Sequence, residues 1–309
     1  MGKGGATLYG RGMASWPRFR VGTASWTDPT LVASGAFYPP SARSAEERLR
    51  FYAQCFDTVE VDSTYYALPS ERNAALWVER TPADFVFHFK AFALLTGHGA
   101  ETARLPRAVK DLLAEEDLAK PRLSSPREEV RDLSFRMFAQ ALEPLRRAGK
   151  LGFFVFQFPP WFAATRRNAR YIEQCREHLP EHDLAVEFRH ASWLQAGRRQ
   201  RTFDLLRSLG LAYVIVDEPS VPGAVPAVCE VTAEDAYVRF HGRNAESWSQ
   251  KGISAAERYE YLYSEAELSE WAGRLRPLRA RATHVIFNNC YANFGVMNAT
   301  TMKQILADR

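Results

Sequence analysis

The sequence predicts an α/β fold, a TIM-type (β/α)8 barrel forming a single domain with an insertion between its third and fourth strands. Three observations carry this. Eight short runs rich in β-branched and aromatic residues recur along the chain, amphipathic helical stretches lie between most of them, and several runs alternate apolar with charged residues. An open doubly wound sheet also alternates strand and helix, but eight repeats followed by a last helix fit a closed barrel better. The 309 residues would suit two domains of about 150 residues or one barrel of roughly 250 with insertions.

In order, the strand runs are 20–26, 58–64, 85–90, 152–158, 184–189, 211–217, 236–241 and 284–289. The helical patterns are 45–56, 73–80, 128–147, 167–178, 201–208 and 265–275, with a last helix over 296–307. Ser264 and Glu267 have capping-box spacing ahead of a Leu268, Trp271 and Leu275 stripe. Gly210 stands where a glycine ends a helix just before the sixth strand. About sixty residues separate the third and fourth strands, too many for one loop and one helix, so 94–125 reads as an insertion beside the barrel mouth. PSVPGAVPAVCEVTAE joins the sixth and seventh strands, and its prolines argue against a helix there. The Gly-rich residues 1–18 read as a flexible leader, and 19–309 as the barrel domain.

Composition narrows the class. A hydrophobic share of 46% with 25% charged residues excludes a disordered or collagen-like chain. A net charge of +4 excludes a polycation or an acidic tail protein, so an anionic partner would need a local cluster. Cys55, Cys175, Cys229 and Cys290 form no C-x-x-C pair, which gives no zinc knuckle and no disulfide framework and points to a reducing, cytoplasmic setting. No run approaches the length of a membrane span, so no membrane partner is expected. There is no P-loop, and GTASW is not a dinucleotide fingerprint.

Parity sorts each strand into two faces. Val59 and Val61 oppose Glu60 and Asp62; Phe85, Phe87 and Phe89 oppose Val86, His88 and Lys90; Leu184, Val186 and Phe188 oppose Ala185, Glu187 and Arg189. The sixth strand gives Tyr213, Ile215 and Asp217, and the seventh gives Tyr237, Arg239 and His241, with Arg243 beyond. Gln157 and Asn288 come from the fourth and eighth. The apolar set must meet the helices, so the charged set points inward near the C-terminal strand ends, where barrel enzymes keep their sites. The plainer reading is a self-satisfied ion network that fills the barrel top; the sharper one is a polar pocket.

Several chemistries compete for this set. Four interleaved cations would repel a divalent ion, so no metal ligands are assigned. A Schiff-base role for Lys90 needs a depressed pKa, whereas Glu60 on the next strand should hold its amine protonated. Glu60 with Glu187 could form a glycosidase pair, but Gln157 and His241 occupy the strand ends where many barrel glycosidases carry carboxylates. Arg189, Arg239 and Arg243 offer planar forks for phosphate or carboxylate, although each could equally be a structural ion pair. Asn288, Asn289 and Asn298 could bind hydroxyls or base edges, and His98 on the insertion could close over the mouth. Trp26, Tyr65 and Tyr66 at strand exits are either rim packing or platforms for a flat ring.

Nine ordered blocks then carry a resemblance. VGTASW with FYP, TVEVDSTYYALP, FHFKAFALLTGH, LGFFVFQFPP, AVEFRHASW, VDEP, YVRFHGRN, ERYEYLYSEAEL and VIFNNCYANFGVMNA resemble the YecE-like family, domain of unknown function 72. The resemblance implies a TIM-type barrel and no established activity. It also adds His190 to the polar positions. Three departures stand out: Asp62 where Asn is usual, Cys290 where the last block usually has His, and Ala24-Ser25 where Ser-Gly is commoner.

The leading expectation is an enzyme acting on a phosphate- or carboxylate-bearing substrate, such as a sugar phosphate or a nucleic-acid end, by general acid–base chemistry at the mouth. Its candidate catalytic residues are Glu60, Lys90, Glu187, Asp217 and His241. Its candidate binding residues are Trp26, Tyr66, Gln157, Arg189, His190, Arg239, Arg243, Asn288, Asn289 and Asn298. Glu187 or Glu60 would be the acid or base, His241 a second proton carrier, and the arginines an anion clamp. A non-catalytic nucleic-acid-binding barrel, a small-molecule sensor, and by fold analogy a metal-dependent phosphodiesterase or isomerase are the alternatives. The residues name no cofactor and give no oligomeric state.

Overall fold

A computed structural model describes residues 19–248, 250 and 252–307. The segment read as a leader lies outside them. Eight parallel strands close into a barrel in chain order: β1 (Phe19–Ala24), β2 (Thr58–Val61), β3 (Val86–Lys90), β4 (Leu151–Gln157), β5 (Leu184–Glu187), β6 (Ala212–Asp217), β7 (Ala236–Phe240) and β8 (Thr283–Phe287), with β8 back against β1. All eight runs are strands of the predicted barrel. No helix among the described residues is long and apolar enough to cross a membrane.

The principal helices are α1 (Ala45–Cys55), α2 (Glu71–Glu79), α3 (Glu128–Ala141), α4 (Arg166–His178), α5 (Arg199–Ser208), α6 (Glu265–Leu275) and α7 (Phe294–Ala307). Ser264 and Glu267 close a capping box at the start of α6, and Gly210 takes φ 63° after α5. The single helix expected over 128–147 is broken. Leu142 leaves helical geometry and Pro144 starts a separate turn, Glu143–Arg147, because proline has no N–H to continue the first. No helix joins β6 to β7 among the described residues. The insertion forms a small lobe in which Ala100–Glu101 pairs antiparallel with Arg122–Leu123, and it buries Leu95, Leu105, Val109 and Leu123.

Register overturns the parity expected for β6. Val216 lies opposite Arg239 and Val214 opposite Tyr237, so the valines share the inward face. Tyr213 instead packs edge-on against Phe203 of α5, and Asp217 shares that outward face. Strand β2 is also shorter than expected. It ends at Val61, and Asp62–Tyr65 is a 3-10 turn tied down by the Thr64 hydroxyl, which donates to Lys90 O at 2.6 Å and Val61 O at 2.9 Å.

The barrel floor is polar and closed. Arg20 donates to Asp84 O at 2.7 Å. The β3–β4 pairing slips between Phe87 and Phe89, and the N–H of Phe153 donates to Nδ1 of His88 at 2.9 Å. Gly152 makes room, since a Cβ there would meet the His88 ring at 2.5 Å. With Nδ1 accepting, the His88 proton sits on Nε2 and donates to Nδ1 of His284 at 3.0 Å, leaving the His284 Nε2 proton facing Asp235 at 3.9 Å.

Burial, with the nearby charges of His284 and Arg20, holds His88 well below the usual histidine range; burial also lowers His284 against the opposing pull of Asp235. The unfolded chain takes up these protons from about pH 6.5 downward while the folded chain refuses them, so this stability is complete above that pH and lost as pH falls. Urea unfolding between pH 8 and 5 should therefore show stability falling below about pH 6.5, by at most about 1.4 kcal/mol per pH unit for each such ring.

Candidate functional site

The upper barrel is organised around Arg239 on β7. Its Nη2 donates to Glu60 Oε1 at 2.8 Å, and its Nη1 donates to Glu187 Oε2 at 2.5 Å and to Gln157 Oε1 at 2.9 Å. These three partners stand on β2, β5 and β4, so one guanidinium ties four strands. Tyr237 adds its hydroxyl to Glu60 Oε2 at 2.8 Å. The remaining Glu187 oxygen takes Nε of Arg189 at 2.5 Å, and Arg189 reaches Glu218 at 3.0 Å and lies over the Trp248 ring at 5.3 Å. Burial alone would raise Glu187, but Arg189, Arg239 and His241 together hold it well below the carboxylate range.

His241 is wedged into this network with no exposed surface. The Asn288 amide nitrogen is 2.9 Å from Nδ1, while Nε2 lies 2.9 Å from Arg189 Nη2 and 3.1 Å from Glu187. Burial and the adjacent Arg189 push this ring down to about 3, so it stays neutral and does not match the proton carrier expected of it. The oxygens of Glu60 and Glu187 are likewise all paired, both Nη atoms of Arg239 are used while its Nε has no partner among the described residues, and the expected arginine clamp is already occupied by protein carboxylates.

Other expected members lie elsewhere. Asp217, facing outward, grips Arg243 through both oxygens at 2.9 and 3.1 Å, and Arg243 continues to Glu267 of α6 at 3.0 Å. Asn289 donates to Tyr261 O at 2.8 Å and Asn298 to Tyr263 O at 2.9 Å, so both pin the 261–263 segment. Trp26 is buried edge-on against Trp77 and Phe87 on the helix side of the wall. His190 accepts from Ser192 N at 3.2 Å, capping a short turn, while lining a groove.

That groove encloses about 540 Å³ over β4 to β6, between Gln157, Arg189, His190, Glu218, Trp248 and Tyr259. Glu218 and the rings of Trp248 and Tyr259 had no signal in strand parity, because they follow the strands. On the β2 and β3 side, Lys90 Nζ sits 4.8 Å over the Tyr65 ring, and Tyr65 packs edge-on with Tyr66 and His98, which meets Trp161. Tyr66 and Trp161 are 51% and 69% exposed.

Lys90 and Asp62 differ from everything around them. Among the described residues, neither side chain makes a hydrogen bond or an ion pair within 4 Å, and both keep partial solvent access. The expectation that Glu60 pairs with Lys90 fails because Arg239 and Tyr237 take both Glu60 oxygens. Burial and the Arg239 charge lower Lys90 to about 8 against the pull of Glu60, Glu187 and Asp62. Burial raises Asp62 to about 6 although Lys90 opposes it. Among the described residues no three His, Cys, Asp or Glu side chains converge as a metal site requires.

The sequence pattern of the family described as "Protein of unknown function DUF72" matches residues 20–309. The chain belongs to the DUF72 family. It is 31% identical over 293 residues to the UPF0759 protein YunF of Bacillus subtilis, covering 93% of this chain and 94% of that one. A DUF72 protein of Thermotoga maritima superposes with a TM-score of 0.75 at 32% identity, over 94% of this chain and 100% of that one. Another, from Enterococcus faecalis, gives 0.75 at 25% identity, over 94% and 96%. Two positions at which the resemblance suggested other residues acquire physical meaning. Ser25 has φ 88°, the left-handed region that favours glycine. The Cys290 thiol donates to Ala24 O at 3.1 Å, and burial pushes it well above its usual range, so it supplies no base.

Arg239→Met should cost about 3–5 kcal/mol in chemical denaturation, because it strands two buried carboxylates. Ser25→Gly should raise stability by roughly 1 kcal/mol, read as an increase in Tm, by relieving the left-handed backbone.

Proposed function

We propose that this DUF72 protein is an enzyme that binds a small phosphate- or carboxylate-bearing molecule at the C-terminal mouth of the barrel and works on it by general acid–base chemistry. The observation that carries this is the Lys90 and Asp62 pair, left unmatched above a network in which the neighbouring charges are neutralised. Desolvating two ionisable groups without partners is costly, which favours a role completed by a ligand. Asp62 near 6 and Lys90 near 8 bracket neutral pH, where proton transfer is most effective. Glu60, Glu187 and Arg239 act as positioning residues that fix strand ends and field.

The anion is held by cations other than those the sequence suggests. Among the described residues, Arg258 donates to the carbonyls of Trp248 and Gln250 and Arg122 to that of Gly99, and neither has a carboxylate within 4 Å. Arg258 lines the groove, and the charge of Arg122 reaches Tyr65 and His98 on the opposite rim. The four unpaired cysteines suit a reducing compartment such as the cytoplasm. A second reading, binding of single-stranded nucleic acid without catalysis, is favoured by the exposed rings of Tyr66 and Trp161.

Thermal denaturation with inorganic phosphate, dihydroxyacetone phosphate, ribose 5-phosphate and an oligonucleotide separates the two. A bound small anion at 100 times its Kd should add about 2.7 kcal/mol, and Arg258→Ala with Arg122→Ala should remove the effect. Stabilisation by the oligonucleotide alone, declining with salt, would give the second reading precedence; silence from every anion would overturn the first.

A further inference from the structure

The choice of lysine at position 90 goes further than charge. The chain contains 33 arginines and only seven lysines, so where a fixed cation suffices it almost always uses arginine, as it does at 189, 239 and 243. At the innermost unmatched position of the mouth it uses a primary amine. An arginine there would offer a planar fork for an anion but could not act as a nucleophile near neutral pH. We propose that Lys90 Nζ forms a covalent imine with the carbonyl carbon of a small aldehyde or ketone, and that Asp62 moves the protons; this rests on the reading of the mouth as an anion-binding enzyme site.

The geometry supplies what the step needs. No protein acceptor competes for Nζ among the described residues, its flank is the Tyr65 ring at 4.8 Å, and it retains access to solvent. The lowered amine range leaves a sizeable unprotonated fraction near pH 8. Asp62 is close enough for its charge and that of Lys90 to act on each other.

The nitrogen lone pair attacks the carbonyl carbon, forming the N–C bond while the C=O π electrons move to oxygen, which takes the proton of the Asp62 carboxyl. The Asp62 carboxylate then removes a proton from the attached nitrogen, giving a neutral carbinolamine. Asp62 returns that proton to the hydroxyl, which leaves as water as the nitrogen lone pair forms the C=N bond. Neutral amine, carbonyl and carboxylic acid have become protonated imine, water and carboxylate, and nothing is oxidised or reduced.

The full chain, incubated with cyanoborohydride and either pyruvate, dihydroxyacetone phosphate or dihydroxyacetone, should gain the mass of one reduced adduct, and peptide mapping should place it on Lys90. Labelling there should be greatest between about pH 6 and 8, falling below as the amine is protonated and above as the Asp62 carboxyl ionises, whereas an ordinary lysine labels increasingly up to about pH 10.4. Lys90→Arg keeps the charge and should abolish the adduct while leaving the unfolding midpoint within a few degrees; Lys90→Met serves if the arginine variant does not fold. Modification spread over Lys110, Lys120 and Lys303, or absent from Lys90 with all three carbonyls, overturns the imine. If phosphate still stabilises the protein in that case, the anion site survives and only the covalent step is lost. An adduct formed equally well with dihydroxyacetone and its phosphate, in a protein that ignores phosphate, keeps the imine and removes the anion clamp.

Discussion

The Arg239 guanidinium between Glu60 and Glu187 is the contact on which the upper half of this barrel depends. Three full charges with no exposed surface would be prohibitively expensive if any one were mispaired. The arrangement works because all four carboxylate oxygens and both terminal nitrogens of the Arg239 guanidinium have partners, leaving only its Nε without one among the described residues: Tyr237 finishes Glu60, Gln157 shares Arg239, and Arg189 finishes Glu187. A one-residue slip of β2, β5 or β7 would turn one of these charges out toward the helices, so the network specifies register as well as bridging strands.

Tyr237 connects this level to the floor beneath it. Its hydroxyl serves Glu60 above while its ring meets His88 edge-on at 4.8 Å. Below, two neutral imidazoles and the Arg20 guanidinium close the end of the barrel, using Gly152 to admit a ring and the strand slip to supply its hydrogen-bond donor. The interior therefore has a closed polar bottom, an ionic middle in which every carboxylate oxygen is paired, and a top where Lys90 and Asp62 have no hydrogen-bonded partner among the described residues.

Much of this was legible from alternation. On β2, β3, β5 and β7 one face is wholly apolar and the other carries charge, so Glu60, Lys90, Glu187 and Arg239 could be placed inward without coordinates. Strand β6 defeated the same argument because AYVIVD is buried on both faces, and its one acid sits at an end where parity has no apolar contrast to lean on. Who pairs with whom was not legible at all. Glu60 and Lys90 are neighbours in strand order, yet Arg239 reaches Glu60 from across the barrel, a closure-dependent contact that no local spacing encodes. Asn289 and Asn298 look like ligand donors in the sequence, yet in the structure they fasten a loop, with backbone targets 28 and 35 positions away.

The same division between matched and unmatched charge sorts the protein's response to dissolved ions. Counterions cannot enter a network that solvent does not reach, so the Arg239 cluster should be indifferent to ionic strength. Lys90, Arg122 and Arg258 keep solvent access, and mobile anions can gather at them. For the proposed anion-binding role, salt would thus be a handle on recognition that leaves folding in place, with chloride, phosphate and organic acids in the surrounding solution competing for these cations.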